Sequence, residues 1–547
     1  MEIWRANPFY RMRLGEAAPD RLAAYGQDPR AGDAARGRDI GRGLWRVGAE
    51  RIAGDYVSPW ERPHPSRHFS ARLHAFSWLV DLAAVGPSAH KRIAELIDAW
   101  VSGFGEWDEL AWDAELTAER LFAWLCWGQP AFEGGDPAQR PALMRSAARQ
   151  ARLLLLAKSE FNERPYAAIK AGAALTIASA AGFPDADKLR EEGEEILLEA
   201  CAKQFLPDGG HQSRCPEFLA EALFDLEAAN AALALTGEPS AVLRDAIGKS
   251  ANMLRLFRLG DGGLGCFHGG SEGSAVSIDN ALARAEGEVR AMQYTTHSAF
   301  HRLEAKDLRI LFDVGGAPPP AFSERAHASA LAFEFSSGSE RLIVNVGAAR
   351  DLEPVGRLAA RATTAHSTLV LGDLLSADLE EPRRSKGPGR LYGPKLDDVR
   401  RSSDDIGITV QGRHDGYVSA FGLFHRRYIF VDHEGKNLRG IDEMIRPMRL
   451  KTAPPKSAIP YVARFHLHPN VRARSIEQQT VLLETPGGQR WRFRTDAPEL
   501  ELASSIYWGG RTVPQESLQI VLSGEADPMG HGLAPPNRVR WALARVE

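Results

Sequence analysis

The sequence predicts a multidomain α+β chain in which paired antiparallel helices come first and an antiparallel β-sandwich follows. Apolar residues recur at helical spacing before about residue 300, and after it the period falls to two or to short apolar runs. The 547 residues are also too many for a single hydrophobic core. We therefore expect a helical domain over residues 1–295 and a sandwich domain over residues 296–547.

The helical pattern is clearest between Ser70 and Val101, where Leu73, Phe76 and Leu79 share one face. Six later stretches repeat it: Glu115–Trp127, Pro141–Ala157, Ala167–Ala181, Lys188–Phe205, Pro216–Leu235 and Ala241–Phe257. Glycine and proline clusters separate these stretches, and no strand is expected among them. Such helices pair as a solenoid or as a closed α/α toroid, and periodicity alone leaves both open.

After residue 300, eight short stretches are predicted to be strands: Leu308–Val314, Leu331–Ser337, Arg341–Gly347, Ser367–Asp373, His425–Asp432, Thr480–Pro486, Arg490–Asp496 and Leu518–Gly524. Many short strands with tight turns between them are typical of an antiparallel sandwich. Alternation along a strand also sends neighbouring side chains to opposite faces, so His425, Arg426 and Arg427 do not form one basic patch.

Composition narrows the classes of partner. The formal net charge is −4, which argues against nucleic acid or an anionic membrane as the partner, so an acidic ligand would need a local basic cleft. The four cysteines lie far apart and are expected to be buried thiols. The opening residues carry charges and no apolar segment, and no stretch approaches a transmembrane helix, so a soluble, cytoplasmic protein is expected.

Several segments carry a recognisable family pattern, among them the motif DGGHQSRCPEF. They are His68–Gly86, Trp112–Gly128, Asp208–Phe218, Phe257–Gly270, Ala326–Ala348, Arg361–Asp373, His414–Tyr417, Phe421–Phe430 and Arg464–Val471. Together they resemble the heparinase II/III-like family in its short bacterial form, in the same order and over nearly the whole chain. The resemblance implies an incomplete α/α toroid followed by an antiparallel β-sandwich.

The resemblance also implies a chemistry, which is β-elimination at a uronic acid of a heparin-, heparan- or alginate-type glycan. Such a carbon–oxygen lyase must neutralise the sugar carboxylate, remove the C5 proton and protonate the leaving oxygen. The family uses an amide or acid beside the carboxylate, with Tyr and His for proton transfer. This implies an acidic oligo- or polysaccharide as the partner and no required cofactor.

Two candidate catalytic residues lie near the middle of the helical region. Asn162 stands where the family has its carboxylate-neutralising residue, and an amide can donate to a carboxylate without titrating. The alternative is that Asn162 caps the next helix. Tyr166 follows four residues later and would share a face with Asn162 if the helix starts there, although a core tyrosine is the other interpretation.

The segment Asp208–Phe218 matches the family loop that opens the helix bearing the catalytic tyrosine. Phe218 occupies that tyrosine position, and phenylalanine cannot transfer a proton. His211 and Arg214 remain on this loop, so His211 is the candidate base and Arg214 the candidate carboxylate clamp. The alternative is that both are ordinary surface residues of a loop.

In the sandwich region the family pattern implies a metal site that here is altered. His327 and His366 match family ligands, but Asn345 stands where the family has aspartate, and amides bind zinc weakly. A divalent metal, zinc or calcium, is therefore the hypothesis, and paired polar groups that hold strands together are the alternative. Arg325 replaces the family's catalytic histidine and could instead bind a uronate or sulfate.

Two further residues are candidates for substrate contact. His268 lies in the glycine-rich segment Gly260–Gly270, which lacks the features of a phosphate loop and is interpreted as a turn that shapes the cleft. Trp112 is assigned to the cleft, where it would stack on a sugar, and Trp124 to the core.

Three functions stay open on the sequence alone. The first is the lyase, and the second is a glycoside hydrolase that uses a pair among Asp208, Glu217 and Glu221. The third is a protein of the same fold that binds acidic glycans but no longer cleaves them. Four residues that differ from the family pattern favour it: Phe218, Arg325, Ser329 and Asn345. Family habit makes a periplasmic location the alternative to a cytoplasmic one, and a homodimer is also considered.

Overall fold

The structure is a computed structural model, and it describes residues 14–15, 17–54, 58–285, 287, 289–290, 292–348, 354–380, 389–446, 455–510, 513–530 and 535–546. The chain forms two compact units that interleave along the sequence. The helical unit comprises Met1–Phe205, Ala220–Ala251 and Val276–Glu288, and the sandwich unit comprises Leu206–Leu219, Asn252–Ala275 and Val289–Glu547. The domain boundaries 1–295 and 296–547 stay a prediction.

Helices dominate the first half of the chain, as the periodicity predicts. They are α1 (Ala34–Gly41), α2 (Arg67–His74), α3 (Leu79–Ala83), α4 (His90–Phe104), α5 (Ala114–Trp127), α6 (Gln129–Gly134), α7 (Arg140–Leu156), α8 (Pro165–Ala180), α9 (Ala186–Gln204), α10 (Pro216–Thr236), α11 (Ala241–Phe257) and α12 (Ala275–Arg284). No helix of the described residues is both long enough and apolar enough to span a bilayer.

Local signals and aromatic packing fix these helices. Asp113 caps α5 by accepting hydrogen bonds from the first two main-chain N–H groups after Ala114. Within the helical unit, Trp124 packs edge-on against Trp100 and Phe76, with ring centroids 5.3 and 5.4 Å away. Trp124 is fully buried, as the sequence predicts for a core aromatic.

One expectation about the first half is wrong, because the helical unit contains a β-hairpin. Strands β1 (Leu44–Val47) and β2 (Glu50–Ala53) pair antiparallel through a tight turn. Each strand has only four residues, which is too short to show a period of two above the surrounding helical pattern.

The sandwich unit consists mainly of strands. These are β3 (Phe300–Ala305), β4 (Leu308–Asp313), β5 (Phe333–Ser337), β6 (Glu340–Val344), β7 (Leu369–Leu371), β8 (Asp378–Leu379), β9 (Leu391–Tyr392), β10 (Leu396–Ser403), β11 (Gly407–His414), β12 (Phe424–Asp432), β13 (Asn437–Ile445), β14 (Ile459–Leu467), β15 (Arg472–Glu477), β16 (Thr480–Glu484), β17 (Arg490–Thr495), β18 (Glu499–Tyr507), β19 (Gln515–Ala526) and β20 (Arg538–Val546). Two short helices, α13 (Pro354–Arg361) and α14 (Val418–Phe421), interrupt them.

The strands form two large antiparallel sheets that face each other. One has the order β10-β11-β12-β13-β20-β17-β16-β15, and the other has the order β18-β19-β14-β6-β5-β4-β3 with β7 beside β14. Phe333 of the second sheet stacks on Trp541 of the first, with ring centroids 5.3 Å apart. Phe465 packs against the same tryptophan at 4.9 Å. The predicted antiparallel sandwich is therefore confirmed, with its core between the two sheets.

Candidate functional site

The candidate base, His211, is buried in the sandwich unit. Its ring lies between Phe218, 4.6 Å away, and Phe322, 5.3 Å away, and the residue is 2% exposed. Its Nδ1 accepts a hydrogen bond from the main-chain N–H of Ser213 at 3.0 Å. Burial lowers the pKa of His211 to about 3. The imidazole is therefore neutral near pH 7 and a weak base.

Arg214, the candidate carboxylate clamp, is also buried, and protein groups take its donors. Its Nε donates to the carbonyl of Ser298 at 3.0 Å, and its Nη1 donates to the carbonyl of Gly316 at 2.6 Å. Its Nη2 donates to Ala299 O at 3.1 Å and pairs with the buried carboxylate of Asp313. These bonds hold the loop against the start of β3 and the end of β4, which is a structural role.

His268 belongs to the same buried cluster. Its Nε2 lies 3.0 Å from Arg214 Nη1 and 3.2 Å from Asp313 Oδ2, and the residue is 3% exposed. Burial would raise the pKa of Asp313, but Arg214 and His268 outweigh it and lower that pKa to about 2. Because it is enclosed with this ion pair, His268 does not offer the surface that a sugar contact needs, and that prediction is corrected.

The three residues predicted to bind a metal do not fit one. His327 Nδ1 and His366 Nε2 lie 3.1 Å apart in a direct hydrogen bond, and His366 Nδ1 contacts the carbonyl of Ala362. The Asn345 amide is occupied at both ends, because its Nδ2 donates to Cys266 O and its Oδ1 accepts from Ser367 N. Within the described ranges, no group of three His, Cys, Asp or Glu side chains could hold a metal. The arrangement matches the alternative of polar pairs that hold strands together.

In the helical unit, Asn162 is exposed, and it ends the short 3-10 segment Lys158–Asn162. The expectation that it caps a helix is wrong, because α8 begins at Pro165 and has Arg164 at its N-cap. Asn162 and Tyr166 therefore do not lie on one helix, and Tyr166 is half-buried. The exposed amide of Asn162 is still compatible with contact to an anion.

Trp112 and Arg325 differ in exposure. Trp112 is 2% exposed, and its Nε1 donates to the carbonyl of Phe104 at 2.8 Å. The ring is thus part of the core of the helical unit, and the predicted sugar stacking is corrected. Arg325, in the sandwich unit, is exposed, so its side chain remains a candidate for contact with an anionic group.

The carboxylates considered for a glycoside hydrolase have protein partners. Asp208 accepts hydrogen bonds from the main-chain N–H and the hydroxyl of Ser298. Glu217 accepts one from the main chain at 2.8 Å, and Glu221 pairs with Arg30 at 2.7 Å. These contacts favour structural roles for the acids.

Sequence reasoning missed the residues that enclose this cluster, chiefly Asp313, Ser298 and Phe322. One signal was available, because Asp313 ends the apolar strand β4 directly before Val314 and two glycines. A charged residue at the end of a buried strand commonly has an ionic partner. The partner itself, Arg214, lies 99 residues away and could not be identified from spacing.

A family model and a curated relative match this chain. The family model described as Heparinase II/III-like, C-terminal, matches residues 288–542. A curated relative, FtsZ-localized protein C of Caulobacter vibrioides, is 33% identical over 100% of this chain and 94% of the relative.

Two solved structures share the fold. The crystal structure of heparinase III has a TM-score of 0.70 at 13% identity, and the match covers 98% of this chain and 88% of that one. Heparan sulfate lyase HepC from Pedobacter heparinus has a TM-score of 0.57 at 15% identity, over 98% of this chain and 87% of that one. The predicted fold class, a helical toroid followed by a β-sandwich, is therefore confirmed.

Proposed function

The chain belongs to the heparinase II/III-like family, and on this premise we propose that it is a member that acts by binding a partner and not by cleaving a glycan. Its fold is that of polysaccharide lyases, which act on glycans. What distinguishes this chain is the state of the residues that would carry out elimination.

The burial of His211 is the observation that carries the proposal. A base for elimination must contact the C5 proton of the substrate, and this ring is held between Phe218 and Phe322 with a pKa lowered to about 3. Phe218 provides no phenol at the family's tyrosine position. Arg214 would have to give up main-chain hydrogen bonds and its pair with Asp313 before it could bind a uronate.

The proposed partner is FtsZ. The relative named FtsZ-localized protein C matches this chain over its full length at 33% identity. We propose that this chain also associates with FtsZ, and that an acidic oligosaccharide is a further ligand of the exposed side chain of Arg325 in the sandwich unit.

Elimination at a uronic acid is the second candidate function. It is supported by the likeness to heparinase III over 98% of this chain and by the exposed amide at Asn162. Under this alternative the enzyme would need a proton acceptor other than His211.

Two measurements on the purified full chain separate these candidates. The first follows ultraviolet absorbance of the unsaturated uronate product with heparin, heparan sulfate and alginate oligosaccharides. The second measures co-sedimentation with assembled FtsZ. We expect flat absorbance and co-sedimentation. Growing absorbance would overturn the loss of catalysis, and a chain that stays in the supernatant would overturn FtsZ as the partner.

The variant His211→Ala tests whether the ring is structural. We expect it to lower the free energy of unfolding by about 2–4 kcal/mol, because it leaves a gap between two aromatic rings. The matched control is His433→Ala, whose ring is exposed in the same unit and should change stability by less than about 0.5 kcal/mol. Equal stability of both variants would show that His211 is not structural.

A further inference from the structure

The helical unit contains a cavity of about 250 Å³ whose lining shares no residue with the His211 cluster. Glu227 and Asn230 of α10, Arg244 of α11, Arg284 of α12 and Gln27 before α1 line it. A cavity of about 150 Å³ holds benzene. This one therefore has room for a somewhat larger organic molecule.

Two residues on the cavity lining carry buried hydrogen-bond acceptors that no described residue satisfies. Glu227 is 6% exposed, and neither carboxyl oxygen has a hydrogen-bond partner among the described residues. The amide oxygen of Asn230, one turn further along α10, is also buried without a partner in that part of the chain. Native proteins rarely leave buried acceptors unpaired, because each one costs about 1–3 kcal/mol. Three such oxygens on one lining indicate a ligand that supplies donors.

The two arginines on the lining, Arg244 and Arg284, differ in how many of their N–H groups already donate hydrogen bonds. Arg244 donates to the carbonyl of Pro239 at 2.7 Å and pairs with Glu238 at 3.3 Å. Arg284 has a single described bond, from its Nη1 to the carbonyl of Gln27 at 2.9 Å. A guanidinium carries five N–H donors, so Arg284 keeps donors available for a carboxylate.

We propose that this cavity binds a compact zwitterion of the size of a free amino acid, with its ammonium group on Glu227 and Asn230 and its carboxylate on Arg284. An ammonium group supplies three donors, which matches the three unpaired oxygens. A simple amine would leave Arg284 without a counter-charge, and a simple carboxylate would leave Glu227 unsatisfied.

The expected pH dependence follows from Glu227. Burial raises the pKa of Glu227 to about 8, with Arg284 lowering it and Asp28 raising it. The carboxyl is therefore mainly neutral at pH 7 and must lose its proton to pair with an ammonium group. Arg244 and Arg284 are the other ionisable side chains on the lining. Affinity should rise by up to about tenfold per pH unit between pH 6 and pH 8, with release of a proton on binding.

Isothermal titration of the full chain tests the proposal. The probes L-norvaline and 5-aminopentanoate carry both charges at different spacings, whereas butylamine and pentanoate each carry one. We expect at least one zwitterion to bind, and both single-charge compounds to bind at least tenfold more weakly. No heat from either zwitterion up to about 10 mM, or equal binding of butylamine, would overturn the proposal.

Substitutions on the lining test whether the zwitterion binds in this cavity. Glu227→Gln and Arg284→Gln should each weaken the zwitterion at least tenfold, and the control Glu191→Gln, at an exposed position of α9, should leave it unchanged. Thermal unfolding of Glu227→Gln should start no lower than that of the wild type, because an amide replaces a buried unpaired acid. Unchanged affinity in Glu227→Gln would place the binding elsewhere and overturn the proposal.

Discussion

At the scale of single residues, Asp442 shows how the sandwich unit accommodates buried charge. Asp442 is fully buried in β13, and it accepts two hydrogen bonds from Arg427, at 2.7 and 3.0 Å. It also contacts His425 at 2.7 Å and accepts from the Trp541 indole at 3.0 Å. Burial opposes ionisation, but Arg427 and His425 outweigh it and lower the pKa of Asp442 well below its usual range.

Removing the negative charge of Asp442 should destabilise the sandwich unit. We expect Asp442→Asn to lower the free energy of unfolding by about 3–5 kcal/mol, because it leaves Arg427 charged and buried without its partner. The matched control is Asp397→Asn, which breaks the pair with Arg413 at a side chain that is 55% exposed and should cost about 0–1 kcal/mol. Denaturant unfolding of both variants measures the difference. Similar losses of unfolding free energy in the two variants would show that the buried ion pair stabilises the fold no more than the exposed one.

The neighbouring strand β12 illustrates what residue-scale reasoning could predict. Alternation predicts that His425 and Arg427 face one side of β12 and that Arg426 faces the other. The structure agrees, because His425 and Arg427 are fully buried while the Arg426 side chain is 18% exposed and pairs with Glu443. The carboxylate that receives Arg427 was not predictable, because Asp442 lies on the next strand.

At the scale of elements, helices α8 and α9 pack closely through glycine. A Cβ atom added at Gly172 would lie 2.7 Å from Leu197 Cγ and 2.9 Å from the carbonyl oxygen of Gly193. A Cβ atom added at Gly193 would in turn lie 3.0 Å from the carbonyl oxygen of Gly172. The two helix backbones therefore approach each other where neither residue has a side chain.

A single methyl group should separate these helices. We expect Gly172→Ala to lower the free energy of unfolding by about 1–3 kcal/mol, since overpacking outweighs the better helix propensity of alanine. The control is Gly103→Ala in α4, where a Cβ atom would meet nothing within 4 Å, and it should raise stability by up to about 1 kcal/mol. Thermal unfolding compares the two variants, and a stabilising effect at Gly172 would contradict the close packing.

Elements differ in how well the sequence predicted them. Glu115–Trp127 and Ala241–Phe257 agree with α5 and α11 to within a residue, because long apolar stripes have a clear period. Strands β11 and β13 were missed, although both are central in their sheet. In β13 the inward face carries Gly440 and Asp442 between Leu438 and Met444, so it does not appear apolar in the sequence.

At the scale of the whole molecule, the chain shares the heparinase III fold at low sequence identity. The chain matches heparinase III with a TM-score of 0.70 at only 13% identity, so the architecture does not depend on particular site residues. His211 and Arg214 are buried in the sandwich unit, on a loop outside its two sheets.

Under the proposed function, introducing the two residues that the family resemblance implies should not produce lyase activity. We expect the double variant Phe218→Tyr with Arg325→His to show no growth of uronate absorbance, because His211 stays buried and Arg214 stays bound to Asp313. The wild-type chain is the control in the same assay. Elimination by the double variant alone would show instead that these two positions decide whether the chain catalyses elimination.

The amino-acid sequence alone predicts the order of helices and strands, the sandwich, and a phenylalanine at position 218, where the family resemblance implies a tyrosine. These features depend on local periodicity and on the identity of single residues. The three-dimensional structure was needed to show that His211 is enclosed, that the Arg214 donors are engaged, and that the Glu227 carboxyl oxygens have no partner among the described residues. Burial and hydrogen bonding depend on segments that lie far apart in the chain, as Arg214 and Ser298 do at 84 residues. That separation leaves no periodic signal in the sequence.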